Sequence, residues 1–421
     1  MTQRIAIIGT GIAGLTTARM LHPHHDIQVF EQNDYIGGHT NTRDVTIDGR
    51  TWGVNTGFIV YNDWVYHNFN KLMARLAVVR EATEMSFSVR DDATGLEYNG
   101  HNLDTLFAQR RNLFRPRFIG MIRDILRFNK ESLDDLEAGN LTPDLTLGDY
   151  FKHKGFSKTF IRKYIVPMGA AIWSSGETEM EAFPALFFVR FFKNHGLLSV
   201  KHRPQWYVIK GGSRSYIEPM IEPFKDRVHV NKGVSSVQRN QKGVTLIFND
   251  GQSDRFDQVV FACHSDQALA MLDAPSADEL LILGALPYSM NDVVLHTDER
   301  LLPSRRKAWA AWNYHIPGNA DEAVGLTYNM NILQNFNNAP VTFCVTLNRT
   351  QDIDPTKIID RFSYAHPVFT KAGIDAQDNY HSIGNRNRSH FCGAYWYNGF
   401  HEDGVNSALR VVKDFGVDPW H

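Results

Sequence analysis

Hydrophobic and polar positions along this chain follow two periods, and the first forty residues show both. Arg4–Ile8 is a short β-branched run that reads as a buried strand. From Ile12 the apolar positions Ile12, Leu15, Ala18 and Leu21 recur at helical spacing. Ile27–Phe30 then reads as a second strand, ended by Glu31. Residues 227–262 read as β-rich, with runs at Val228–Val230, Gly233–Val237, Gly243–Phe248 and Gln258–Ala262, and a turn signal at Asn249-Asp250-Gly251. Near the end a strand leads into Gly393 and a helix is expected to start near Gly404. In the middle, Phe118, Met121, Ile122, Ile125 and Leu126 recur at helical spacing, with Arg123, Arg127 and Lys130 on another face. Phe183–Leu198 is dense in aromatics and reads as core, pocket wall or interface anchor, core being the simplest.

Between the first strand and first helix lies Gly9-Thr10-Gly11-Ile12-Ala13-Gly14. The physics assigns each glycine a task. Gly9 makes the tight turn, Gly11 lets backbone approach a pyrophosphate, and Gly14 lets helix and strand pack closely. The helix N-terminus offers unpaired N–H groups and the positive end of its dipole to phosphate. Glu31 is spaced to accept hydrogen bonds from ribose hydroxyls. Strand, glycine turn, helix, strand and acid together point to a dinucleotide. A second glycine pair, Gly37-Gly38, and a small turn at Asn55-Thr56-Gly57-Phe58 suit the longer FAD better than NAD.

The pattern GxGxxG, Glu31, Gly37-Gly38 resembles the flavin amine oxidase superfamily, which also includes phytoene desaturases and protoporphyrinogen oxidase. Most members carry Arg after the glycine pair, where this chain has His39. That departure, with Thr40 and Asn55–Asn62, resembles a bacterial subgroup of NAD/FAD-binding proteins often linked with cyclopropane-fatty-acid-synthase-like methyltransferases. The subgroup includes the flavin-dependent acyl-chain desaturases of furan fatty acid synthesis. The likeness runs in order through Phe107–Leu113, Pro167–Ser174, Arg203–Trp206 with Gly211–Ser213, Ala308–Tyr314 and Leu326–Asn331.

The resemblance implies non-covalent FAD. It implies cofactor contacts from Gly9, Gly11, Ile12, Ala13, Gly14, Glu31 and Gln32 in the first motif, and from Gly38, His39, Thr40, Asn55, Thr56, Gly57 and Phe58 next. Further contacts fall to Val234 and Ala262, then Gly393, Asp403, Gly404 and Val405. Val234 is either an adenine contact or a plain core valine. His401 is a turn residue or a participant in the chemistry. Tyr397, with Tyr395 and Trp396, is available for an aromatic cage. His401 and Tyr397 are the catalytic candidates.

At 421 residues the chain is too long for one ordinary core. The expected fold is α/β. A Rossmann-type FAD-binding domain is built from 1–75, 205–270 and 385–421, interleaved with an α+β substrate domain from 76–204 and 271–384. A net charge of −2 gives no electrostatic reason to expect nucleic acid. Three scattered cysteines, Cys263, Cys344 and Cys392, are neither a disulfide framework nor a zinc site, and suit a reducing cytoplasm. The opening MTQRIAIIGTG runs straight into the motif, so no signal peptide is expected. No run of about 18 apolar residues would span a membrane. The 18 histidines form no metal-binding spacing, no metal is expected, and His22, His24 and His25 read as a solvated loop.

Phe107–Lys130 carries seven basic residues against one acid, Asp124. Its basic amphipathic helix either lies on an anionic membrane surface or is a solvated face over core. The expected function is FAD-dependent desaturation of an unsaturated or methylated phospholipid acyl chain, by a cytoplasmic enzyme with peripheral contact at the inner membrane face. The alternatives are oxidation of a small amine, or flavin binding without catalysis.

Overall fold

A computed structural model describes residues 2–173, 176–318 and 325–420. Ser174, the last residue of one matched stretch, falls outside them. The amino-terminal motif builds a five-stranded parallel sheet in the order Val228–His229, Asp26–Phe30, Arg4–Ile8, Gln258–Phe261, Ser389–Phe391. The period-two alternation of Arg4–Ile8 decides which side chains go to which face. Ile5 and Ile7 face a core shared with helices Ile12–Leu21 and His401–Asp414, through Leu15, Val405, Leu409 and Val412. Ala6 and Ile8 face the other way, against Val237, Val244 and Leu246 of an antiparallel three-stranded sheet, Val234–Asn240, Gly243–Phe248 and Ser253–Phe256. Parallel strands buried on both faces read as near-continuous apolar runs, which is why the first motif is so legible.

A second, seven-stranded sheet has the order Ile358–Pro367, Tyr288–His296, Cys344–Leu347, Gly325–Asn329, Trp312–Ile316, Phe87–Asp91, Leu96–Asn99. Its pairs are antiparallel except Trp312–Ile316 with Phe87–Asp91. Against Val89, Tyr314 and Leu326 of this sheet packs a helical layer that includes Pro116–Glu137, Val166–Trp173 and Ala185–Asn194. The apolar run Leu186–Phe192 is therefore largely core, with Phe188 and Phe192 stacked at 4.0 Å. A hairpin, Thr42–Ile47 with Arg50–Asn55, turns at Asp48-Gly49, both at positive φ.

Three expectations change. Helix Ala277–Gly284 and helix Lys371–Asp378 lie in segments expected to be substrate domain. Yet Ile282, Leu283 and Ala376 share a core with Phe261 and Phe391 of the parallel sheet, because their apolar faces cover its second side. The final helix begins at His401, three residues before Gly404. Of the three loop histidines only His24 is exposed. His22 lies against Phe224 at 5.5 Å, and His25 Nδ1 accepts from the Gln3 backbone N–H at 3.2 Å. Among the described residues no helix is long and apolar enough to cross a membrane.

Candidate cofactor site and the cavity beside it

The glycine loop has the geometry its sequence asks for. Gly9 sits at φ +107°, and a Cβ there would stand 2.7 Å from the Ala262 carbonyl oxygen. A Cβ on Gly14 would stand 2.0 Å from the Gly9 carbonyl oxygen, so helix and strand meet only because both are glycine. At Gly11 a Cβ would meet nothing within 4 Å, which leaves the backbone open to an approaching group. The second pair closes on the first: Gly38, at φ +58°, would place a Cβ 3.3 Å from the Gly11 Cα. Ile12 and Ala13 occupy the first helical turn, where N–H groups lack intrahelical partners.

Glu31 is buried, and its carboxylate accepts from Thr10 N–H at 3.1 Å, Thr10 Oγ1 at 2.6 Å, and the backbone and side-chain nitrogens of Asn33 at 3.0 and 2.9 Å. It thus ties the glycine loop to the end of the second strand. Residues 231–234 lie alongside. Asn231 and Lys232 N–H donate to the carbonyls of Asn33 and Glu31, and a Cβ on Gly233 would stand 3.3 Å from Cβ of the exposed Gln32. Val234 opens its strand next to them, half-buried. Glu31, Gln32 and Val234 are brought to one end of the cleft.

The middle segment forms a polar knot. The Asn55 side-chain oxygen accepts from Thr42 Oγ1 at 2.8 Å and Ser213 N–H at 2.8 Å. Thr56 Oγ1 meets Tyr364 Oη at 3.0 Å. Phe58 N–H donates to the His39 carbonyl at 2.7 Å, and Gly57 has no room for a Cβ beside that carbonyl. The His39 ring lies among Tyr364, His366 and His264, at centroid separations of 5.0, 5.7 and 6.0 Å. Burial pushes its pKa down to about 4, so the imidazole is neutral at physiological pH. His39 Nε2 and His264 Nδ1 are buried and have no hydrogen-bond partner among the described residues. Buried polar atoms of this kind are costly unless a ligand satisfies them.

The carboxy-terminal motif joins the same cleft. Gly393 N–H donates to Ser407 Oγ at 2.9 Å. A Cβ at Gly404 would lie 2.6 Å from Ile12 Cγ2, so the first turns of the two helices abut. Gly404 N–H is already bonded to the Phe400 carbonyl at 3.0 Å, so the unpaired N–H groups of this turn precede it. Val405 is buried core. The Asp403 carboxylate accepts from Phe400 N–H at 2.9 Å, and burial raises its pKa to about 7. Two helix N-termini side by side are a site for a diphosphate. The residues present therefore fit FAD. Cys392 packs against Thr17 Oγ1 at 3.7 Å, deep in the core, which fits a cofactor held without a covalent bond.

The two catalytic candidates point into different surroundings. A cavity of about 750 Å³ is bordered by Tyr397, Phe400, His195, Asn194, Tyr66, Glu402 and Asp403, among others. His401 is not among them. Its ring stacks on Phe58 at 3.5 Å, and its Nε2 lies 3.1 Å from Thr40 Oγ1, which also meets Tyr216 Oη at 2.5 Å. Burial drives its pKa well below the usual imidazole range. The aromatic cage for which Tyr395, Trp396 and Tyr397 are available in sequence does not form. Tyr395 and Trp396 are buried against the parallel sheet, because one tight turn over 394–396 tucks them inward. Gln377 Nε2 holds that turn through the carbonyls of Tyr395 and Tyr397, both at 2.7 Å.

Sequence reasoning overlooked Glu402, whose carboxylate accepts from Asn68 and Phe69 N–H at 3.0 and 2.7 Å and so caps helix His67–Arg75. It also overlooked Tyr364, His366 and His264, which no local motif marks.

A parallel sheet with paired glycine loops meeting at its carboxyl edge defines a flavin-binding protein of the FAD-dependent oxidoreductase class. Residues 12–340 match the family described as flavin containing amine oxidoreductase, and the chain belongs to that family. It is similar to the zeta-carotene desaturase of Synechocystis sp., 24% identical over 310 residues, a match spanning 66% of this chain and 59% of that protein. The chain thus spans less than two thirds of the length of the curated relatives it matches. Its fold is shared with the CLA-producing fatty acid isomerase from P. acnes (TM-score 0.70, 14% identity, 99% of each chain). It is shared equally with cyclohexylamine oxidase from Brevibacterium oxydans (TM-score 0.69, 14% identity, 99% of this chain and 100% of that one).

Proposed function

We propose that this chain desaturates a phospholipid acyl chain, unsaturated or methylated, using FAD. Bound FAD supplies a two-electron acceptor. The substrate would lose two hydrogens as a new C=C bond forms, a hydride to that acceptor and a proton to solvent. The observation that carries this reading is the apolar cluster that meets the cavity at Phe400. It runs from Phe118, Met121 and Phe128 through Phe188 and Phe191 to Phe400 at the cavity wall, with Phe191 and Phe400 stacked at 5.3 Å. A zeta-carotene desaturase and a CLA-producing fatty acid isomerase are among the similar proteins, which supports the same reading. We assign Tyr397 contact with substrate, and His401 a positioning role through Thr40 and Phe58.

An amine is favoured instead by the presence of cyclohexylamine oxidase among the similar folds and by three acids that border the cavity, Asp63, Glu402 and Asp403. Each is engaged, however, Asp63 by Gln205 N–H at 3.0 Å and the other two in capping helices. The two readings separate in one experiment. Holoprotein is mixed anaerobically with detergent-solubilised phospholipid bearing a methylated monounsaturated chain, or with a small amine. Loss of flavin absorbance with the lipid, and a product two hydrogens lighter by mass, is expected. Bleaching by the amine alone would replace this reading. Bleaching by neither would leave a flavin-binding protein without this chemistry.

A further inference from the structure

We infer that the start of helix Pro116–Glu137, with the tight turn Arg110–Phe114 before it, is a docking surface for an anionic phospholipid bilayer. This deepens the acyl-chain reading by placing where the lipid is met. Phe114 is 87% exposed, and Leu113, Ile119 and Leu126 are 46%, 43% and 53% exposed. A large aromatic held this far out of a folded surface, with aliphatic neighbours, marks an interaction site. Leu113, Phe114, Pro116, Ile119 and Arg123 border a shallow hollow of about 390 Å³.

The surrounding charge selects the occupant. Arg117, Arg123 and Lys130 are exposed, and among the described residues none of them has an acidic partner. The one acid of the stretch, Asp124, is buried and paired with Arg127 at 3.3 Å. Arg127 takes no part in the surface. It is half-buried, donates to the Lys154 carbonyl at 2.8 Å and lies 4.0 Å over the Phe156 ring, so the expected basic face loses one member to the core. Apolar side chains set between free arginines match the boundary of acyl chains and anionic headgroups. A second copy docked through the same face about a twofold axis would bring Arg117 and Arg123 against like charges. A bilayer without net charge would offer them no attractive surface potential. The inner face of the same helix contributes Phe118, Met121 and Phe128 to the cluster that reaches Phe400.

The test is flotation of the holoprotein with vesicles of phosphatidylglycerol and phosphatidylcholine in equal parts. The parent protein should float, and binding should fall with salt as the headgroup field is screened. The double variant Arg117→Gln/Arg123→Gln should bind about 10- to 30-fold more weakly with a flatter salt dependence, on the usual worth of a basic residue at such a surface. Phe114→Ser should weaken binding at every salt concentration. Both variants should keep full FAD content, which separates lost docking from misfolding. The proposal fails if the parent does not float, if phosphatidylcholine alone binds as well, or if both variants bind like the parent. It also fails if Phe114→Ser abolishes a dimer that the parent forms without vesicles. Turnover on detergent-solubilised lipid is measured apart, so failure of docking and failure of the acyl-chain reading are told from each other.

Discussion

The first turn of the final helix rests so closely on the first turn of the first helix that a Cβ at Gly404 would lie 2.6 Å from Ile12 Cγ2. Two helix N-termini separated by almost the whole chain thereby share one cleft, and their dipoles add at the place where a diphosphate would bind.

The glycines of the cleft should separate by what surrounds them. Gly11→Ala meets open space, so the apoprotein should keep its stability to within about 0.5 kcal/mol, while FAD affinity falls because the methyl group occupies the approach to the backbone. Gly14→Ala collides with the Gly9 carbonyl and should lower both stability and FAD content. Thermal melts of apoprotein and flavin titrations check this. Equal loss of stability in the two variants would contradict it.

Glu31→Ala removes an acceptor from Thr10 and Asn33 as well as from the cofactor. FAD affinity should fall about 5- to 150-fold, the equivalent of about 1–3 kcal/mol for a lost buried acceptor. The apoprotein should also melt earlier, since Thr10 loses its buried partner. An unchanged dissociation constant for FAD would show that the adenosine end lies elsewhere.

Tyr397→Phe and His401→Asn should behave differently. Tyr397 borders the cavity, so its variant should keep FAD and stability but lose turnover. His401 stacks on Phe58 and meets Thr40, so its variant should lower the melting temperature and FAD retention together. Turnover per bound flavin separates the two effects.

His296 is fully buried in the seven-stranded sheet, where it accepts from Asp298 N–H at 3.0 Å and meets Thr346 Oγ1 at 2.7 Å. Burial lowers its pKa to about 4, against about 6.5 for an imidazole in water. The unfolded chain therefore binds a proton that the folded chain refuses. The resulting stability is full above about pH 6.5 and is lost as pH falls towards about 4, with a slope of up to about 1.4 kcal/mol per pH unit. Urea unfolding at pH 7 and pH 5 should show a smaller loss in His296→Gln than in the parent. The same loss in both would remove His296 as a contributor.

What the sequence by itself determined is local. Gly9, Gly14 and Glu31 stand within one strand–helix–strand unit, and their spacing dictates turn, close packing and carboxylate placement before any distant contact forms. The apolar runs of the parallel strands are equally plain, because strands covered on both faces tolerate little else. Tertiary structure alone decided the rest. Tyr395 and Trp396 look like Tyr397 in sequence, yet a single turn held by Gln377 buries them against the sheet and leaves Tyr397 at the cavity. Arg127 shares a basic run with Arg123, but Asp124, Glu131 and Phe156 draw it inward while Arg123 stays in solvent. His39, His264 and His366 come from three distant segments, and only the meeting of the two sheets sets their rings together. Local spacing encodes backbone conformation. Which of several similar side chains faces a cavity, the core or water depends on partners far away along the chain, and these pairings have no period to read.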